Sequence, residues 1–352
     1  MASQFEVIDA DGHITEEDSQ LKKYMEARYR DRAATLTPRD SWDRSLSGTL
    51  GTRARDAKSW LDAMDKGGVS TAVLYPTNGL SVGWIREPDV AVAYAKAWND
   101  FCAEEFQKVS PRLKAVALVP FQDVPEAVKE LRRAVNELKL VGLMLPAVGL
   151  RLPLGHESFW PIYEEAEKLN VPLAVHVGAL HHLGMDTIGV YYPVHALGHP
   201  FGIMAQAAAM LSYGVFDRFT KLRVGFLEGG ATWVPFFMDR LDRSYPHHLQ
   251  VDIDGEFLPS SQPDVMASEY FRRHVKAGKI FVGFDGDDHG LGYAVKEAGN
   301  ESFVFATDFP HESFDAKSCR IEIQHILSRE DLSLSDKEAI LGQNAKKFYG
   351  ID

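Results

Sequence analysis

The sequence predicts an α/β fold, a parallel (β/α)8 barrel of the TIM type, on three observations. Eight short apolar runs, rich in Val, Ile, Leu and Phe, recur along the 352 residues. None alternates strictly, which is how strands buried on both faces of a parallel sheet read. Between most of them lie helical patterns whose apolar residues recur at steps of three and four. An open doubly wound sheet is the alternative, but no G-x-G-x-x-G phosphate loop follows the first run.

The first strand is expected at "FEVID" (5–9) and the second at "STAVLYP" (70–76). Next come "KAVALVP" (114–120), "LVGLMLP" (140–146) and "PLAVHVG" (172–178). The last three are "LRVGFLEGG" (222–230), "KIFVGF" (279–284) and "SFVFATD" (302–308). Helices are expected over 88–109, 124–138, 158–169, 200–214 and 232–245, and the final forty residues read as helices capping the barrel. Segments 30–55 and 246–270 break the rhythm. Neither carries the apolar periodicity of a core of its own, so the reading is one barrel domain over 1–352 with two insertions in its βα loops.

Composition narrows the function. The chain is 45% hydrophobic and 25% charged, the balance of a globular protein with a sizeable core. Its formal net charge of −12 argues against nucleic acid or an anionic membrane as partner through a broad electrostatic field. A small-molecule substrate, acidic ones included, remains compatible. Two cysteines, Cys102 and Cys319, exclude a disulfide framework and read as packing residues in a reducing compartment. With no secretory leader pattern and no long apolar span, a cytoplasmic location is the expectation.

In a parallel barrel the active site gathers at the C-terminal ends of the strands. Ligand-type residues fall there repeatedly: Asp9, Asp11 and His13 at the first strand, His176 at the fifth, Glu228 at the sixth, Asp308 and then His311 at the eighth. Singly, each has an ordinary explanation. A histidine inside "AVHVG" is more often a hydrogen-bonded core imidazole, and Asp308 can cap the next segment. Jointly they are harder to explain, because charges buried at strand ends cost several kcal/mol each, at order of magnitude, unless something pairs with them. A divalent cation would compensate all of them. His195 and His199, in "YYPVHALGHPFG", flank an expected helix start and can face the site from the loop after the fifth strand. His181–His182 and His247–His248 read as solvated loop pairs, and "DGDDHG" (285–290) as a loop that starts a helix.

With these motifs in hand the chain resembles the amidohydrolase superfamily, closest to its amidohydrolase-2 branch, which contains aminocarboxymuconate-semialdehyde decarboxylase and related aromatic-acid decarboxylases. The resemblance spans nearly the whole chain, through "VIDADGH", "VPLAVHVG", "FLEGGATWVPFFMDRLD", "FVFATDFPH" and "NAKKFYGI". It implies a (β/α)8 barrel with a divalent metal at the strand ends. The family's first-strand motif is commonly His-x-His, or Glu-x-His in some decarboxylases, and the matching positions here are Asp11 and His13. The fifth-strand histidine matches His176 and the eighth-strand aspartate Asp308, which completes the implied metal set. At the sixth strand, where the family often places a histidine, this chain has Glu228, available as a further ligand or as a general base. No Lys or Glu ends the fourth strand, where binuclear members bridge two metals, so one ion is implied: Zn, Mn or Fe, with no organic cofactor. The resemblance also implies a homodimer or higher homo-oligomer.

The leading functional reading is a metal-dependent decarboxylase or hydrolase of a small carboxylated, possibly aromatic, substrate, with Asp308, Glu228, His176 and His311 as candidate acid/bases. His195, His199 and Arg53 are candidate substrate contacts, Arg53 as a carboxylate clamp together with Arg44 and Arg55. The alternative hydrolase would act on an ester, amide or thioester. A serine hydrolase is a further reading, because "GLSVG" (79–83) matches the nucleophile-elbow pattern around Ser81. The last reading is a non-catalytic binding barrel.

Overall fold

A computed structural model describes residues 5–32, 36–37, 56–248, 265–311 and 316–352. Its eight strands are β1 (Ile8–Ile14), β2 (Thr71–Pro76), β3 (Leu113–Ala117), β4 (Gly142–Pro146), β5 (Leu173–His176), β6 (Val224–Phe226), β7 (Ile280–Asp285) and β8 (Phe303–Ala306). They lie side by side in chain order, and each of the seven laddered pairs is parallel. Helices alternate with them, as a (β/α)8 barrel requires. Nearly every strand residue is buried, which explains why the strands read as continuous apolar runs.

The helices cover the barrel with one apolar face each. Val124–Asn136 buries Ala127, Leu131 and Ala134, one helical stripe, and the Asp123 side chain caps it by accepting the Glu126 N–H. Ala57–Gly67 was not expected from the sequence: Asp56 caps it, Gly68 ends it in a left-handed turn, and only Trp60, Ala63 and Met64 give it a sizeable inner face. The helix after β5 also departs from expectation. Pro200 reads as a first-turn proline, but the helix runs Tyr191–Ser212 straight through it. His195 and His199 therefore sit one turn apart on a helix face, not in a loop.

The β8–β1 seam closes the barrel in an unusual way. Along β1, Asp9 lies opposite Ala72 while Gly12 lies opposite Leu74, so β1 carries one extra residue there, a β-bulge. On the opposite edge of β1, side-chain oxygens join it to the end of β8. Asp9 Oδ1 accepts the N–H of Thr307 (3.0 Å) and of Asp11 (3.2 Å), and its Oδ2 accepts the Thr307 hydroxyl (2.6 Å). Beyond the bulge, Asp308 N–H donates to the Asp11 carbonyl (3.1 Å) and His13 N–H to that of Phe309 (2.7 Å). Tyr349, from the last helix, donates its hydroxyl to the Ala10 carbonyl (2.6 Å). Gly12 is required under Trp60, since a Cβ there would lie 2.4 Å from the indole. Among the described residues, no helix is long and apolar enough to cross a membrane.

Candidate metal centre

β1 delivers Asp11 and His13 to the barrel mouth from within the strand, because β1 runs on to Ile14 and does not stop at residue 9. His176 is the last residue of β5. Glu228 and Asp308 each follow their strand by two residues, and both adopt left-handed backbone, with φ of 56° and 48°. That conformation is uncommon outside glycine, and it turns both carboxylates inward over the strand ends.

These side chains converge. His13 Nε2 lies 3.6 Å from Asp11 Oδ1 and 3.2 Å from Asp308 Oδ1. His176 Nε2 lies 3.3 Å from both Asp11 Oδ2 and Glu228 Oε2. Asp11, His13 and His176 form one group whose donor atoms lie within 4.8 Å of one another, and His13, Asp308 and His311 form another that shares His13. The convergence is not satisfied by hydrogen bonds. Asp11 Oδ1, His13 Nε2, His176 Nε2 and Glu228 Oε2 are all buried without a hydrogen-bond partner. Orphaned polar atoms of this kind are rare and call for an occupant.

The imidazoles are prepared for one. His13 Nδ1 faces the Pro76 carbonyl at 3.0 Å and His176 Nδ1 the Val177 carbonyl at 2.7 Å. A carbonyl only accepts, so each Nδ1 carries a proton and each Nε2 is turned into the cluster, the orientation a metal-ligating histidine needs. Burial holds the His13 pKa well below its usual value, which keeps its Nε2 lone pair free. Burial opposes charge on His176 as well, but the Asp11 and Glu228 carboxylates facing it prevail and lift it to about 9. The cluster thus favours positive charge at its centre, and its nitrogen and oxygen donors fit a divalent cation.

His311 has its own arrangement. Its Nδ1 lies 2.9 Å from Asp308 Oδ1, its Nε2 2.9 Å from the Thr77 hydroxyl, and its ring stacks on His13 with centroids 4.1 Å apart. Both of its nitrogens thus have a partner, a carboxylate on one side and a hydroxyl on the other. Burial opposes the charge of Asp308, yet His311, His13 and His176 bring its pKa down to about 2. The facing carboxylates, Asp308 above all, raise that of His311 against its own burial. On the other side, His199 Nδ1 lies 3.0 Å from Glu228 Oε1, and the His195 ring follows with its centroid 4.8 Å from that of His199. Burial pushes the Glu228 pKa well above the carboxylate range. Glu228, His195, His199 and Asp308 border a cavity of about 450 Å³ whose apolar wall includes Phe201, Trp233 and Phe236.

The remaining candidates separate cleanly. Arg53, with Arg44 and Arg55, lies outside the described residues. Asp9 is consumed by the seam. Of "DGDDHG", Asp285 reaches the cavity wall, while Asp288 anchors the β6 loop by accepting the Ala231 N–H. Ser81 is buried in the 3-10 turn Asn78–Trp84, and no hydrogen bond joins it to a histidine or carboxylate among the described residues. Its motif does not form a strand–turn–helix elbow. Cys102 and Cys319 are free and buried. Two residues went unforeseen. Thr77 holds His311, and Glu16, fully buried, holds the β2 loop by accepting the N–H groups of Thr77 (2.9 Å) and Gly79 (2.7 Å). The polar pair that follows β2, Thr77–Asn78, was the available signal.

A barrel with such a donor cluster at its strand ends is a fold and site of the metal-dependent hydrolase and lyase class. The chain belongs to the amidohydrolase family Amidohydro_2, whose model matches residues 8–351, and it is an enzyme of the amidohydrolase superfamily. The resemblance read from the sequence is borne out. The chain is 27% identical over 271 residues to the 2-amino-3-carboxymuconate-6-semialdehyde decarboxylase of Dictyostelium discoideum, covering 77% of this chain and 70% of the relative. It is 25% identical over 336 residues to the gamma-resorcylate decarboxylase of Polaromonas sp. (strain JS666 / ATCC BAA-500), covering 91% and 94%. Among solved structures, a dihydroxybenzoic acid decarboxylase from Polaromonas sp. JS666, with bound manganese and the inhibitor 2-nitroresorcinol, superposes with a TM-score of 0.70 at 21% identity. The superposition covers 99% of this chain and 97% of that one.

Proposed function

We propose that this protein is a decarboxylase of a small aromatic carboxylate that holds one divalent cation, manganese or a close substitute such as zinc or iron, through Asp11, His13, His176 and Asp308. The observation that carries the reading is the set of buried, unpartnered donor atoms with the Nε2 of both imidazoles turned into the cluster. Decarboxylases among its relatives support the reaction class, and manganese in a relative of the same fold supports the metal. When bound, the ion would fix and polarise the oxygen atoms of the substrate.

The protein's own groups supply the rest. Decarboxylation breaks the bond between ring and carboxylate, leaves the electron pair on the ring carbon, and needs a proton there as CO2 departs. Glu228 borders the cavity with a carboxyl whose pKa burial raises well above the usual range, and His199 Nδ1 lies 3.0 Å from its other oxygen. Glu228 is the proposed proton donor and His199 its positioning partner. His311 and Asp308, on the opposite wall, keep a second proton at His311 Nδ1. Phe201, Trp233 and Phe236 offer apolar surface to a ring and exclude water. His195 completes the wall, and a homo-oligomer in a reducing, cytoplasmic compartment is the proposed setting.

The test joins metal analysis to an activity screen. One equivalent of metal and CO2 release from hydroxybenzoates are expected, with both lost in Asp308→Ala. Hydrolysis of esters, amides or thioesters without CO2 release would overturn the decarboxylase reading in favour of a hydrolase.

A further inference from the structure

The loops after β2, β3 and β4 enclose a second cavity at the same end of the barrel, about 290 Å³ in volume, which shares no lining residue with the catalytic one. Its floor is tight. Gly149, at φ 93°, packs backbone to backbone against Gly83, and a Cβ on Gly149 would lie 2.7 Å from the Gly83 carbonyl carbon. Its wall is apolar, with Phe121, Phe159 and Leu152 among the lining groups. Two exposed arginines border it, Arg86 and Arg151, and neither has a carboxylate partner among the described residues. Arg86 is partly held, its guanidinium lying 5.6 Å from the centroid of the Trp84 ring. Inside, Gln122 donates both amide hydrogens, to the carbonyls of Val82 (2.8 Å) and Ile85 (2.9 Å). Its Oε1 is buried and has no hydrogen-bond partner.

We propose that this cavity binds a small aromatic carboxylate at a site separate from the metal centre. Two guanidinium groups at the rim suit a carboxylate, which accepts from both in charge-assisted hydrogen bonds. The apolar wall suits a flat ring. The Gln122 amide, fixed by its two hydrogen bonds, holds the loops that form the cavity in place. Inorganic anions lack the ring, and neutral phenols lack the charge. Gln122 also ties this cavity to Val82 and Ile85, in and just after the turn Asn78–Trp84 that follows Thr77, so occupancy bears on the loop that holds His311.

The experiment is calorimetric titration of the metal-loaded enzyme with 4-hydroxyphenylacetate. Its carboxylate is attached to an sp3 carbon, so protonation of the ring cannot release it. The double variant R86Q/R151Q removes two exposed charges and leaves the apolar wall and the metal centre intact. Wild-type enzyme is expected to bind one equivalent more than the variant, or to bind that equivalent at least tenfold more tightly, as expected for roughly one charge-assisted hydrogen bond. 4-Cresol and inorganic phosphate are expected not to compete. Equal binding by wild type and variant overturns the proposal, as does phosphate competing as well as the probe. Because the readout is binding, it stands or falls independently of whether the enzyme releases CO2.

Discussion

His311 lies face to face with His13, their ring centroids 4.1 Å apart and their planes 22° from parallel. One ring is a proposed ligand and the other a proposed proton carrier, and the stack fixes their relative position. His311→Phe keeps the stack and removes both nitrogens. A fall in kcat of about 100-fold with metal content unchanged is expected, the scale of a lost acid/base group. Loss of the metal in this variant would make His311 a ligand. Thr77→Val, which removes only the hydroxyl facing Nε2 at 2.9 Å, is expected to cost about tenfold.

Removing the cation should be felt in stability as well as in activity. Ion bound at about 100 times its dissociation constant contributes ~2.7 kcal/mol. Dialysis against a chelator is therefore expected to lower Tm by several degrees, and manganese to restore it. A Tm indifferent to chelator and to added metal would contradict a cation at this cluster.

The Asp9 carboxylate, fully buried, is expected to be structural and not catalytic. Asp9→Ala strands two backbone N–H groups and the Thr307 hydroxyl at the seam, at a cost of about 3 kcal/mol, whereas Asp9→Asn keeps an acceptor and costs about 1 kcal/mol. Chemical denaturation of both variants gives the two values. Activity lost without loss of stability would give Asp9 a role at the site.

His274 provides a test by pH, far from the cluster. Burial, with Lys279 and Arg273 nearby, holds its pKa down at about 4 in the folded protein, and Asp217 faces it at 3.9 Å. The unfolded chain takes up the proton near pH 6.5 and the folded chain does not, so stability present above about 6.5 is lost as pH falls toward 4. Replacement by Phe is expected to flatten that part of the curve by about 2 kcal/mol between pH 7 and 4.5. Denaturant midpoints at a series of pH values measure it.

Ser81→Ala is expected to leave turnover unchanged within about twofold, since the serine is buried and joined to no base. A serine-directed phosphonate that abolished activity would reverse this.

The barrel was legible because every strand is buried on both faces, so eight apolar runs stood out against amphipathic helices. The cluster was legible because a barrel collects strand ends, and Asp11, His13, His176, Glu228 and Asp308 stood at four of them. Other features were not legible, for physical reasons. The bulge in β1 depends on pairing with β2, and no local propensity announces that Asp9 will turn to Thr307 while Asp11 faces His13 and His176. Pro200 looked like a helix start, since a proline suits the first turn, and only tertiary packing carries the helix back to Tyr191. Glu16, just after β1, carries no motif, yet it reaches three groups around the β2 turn, the Tyr94 hydroxyl at 3.3 Å among them. Contacts across long sequence distances leave no periodic trace.

The seam has a temporal meaning. Thr307 and Asp9, which join there, are 298 residues apart in sequence, and Asp11, His13 and Asp308 stand on its two sides. During synthesis β1 emerges first and must wait, its carboxylates unshielded, until β8 arrives to complete the nest. Of the four proposed ligands, a growing chain lacking β8 offers Asp11, His13 and His176, a triad short of Asp308. On the proposed ligand set, tight capture of the ion marks the moment the circle closes, and catalytic competence becomes a property that only a finished molecule can acquire.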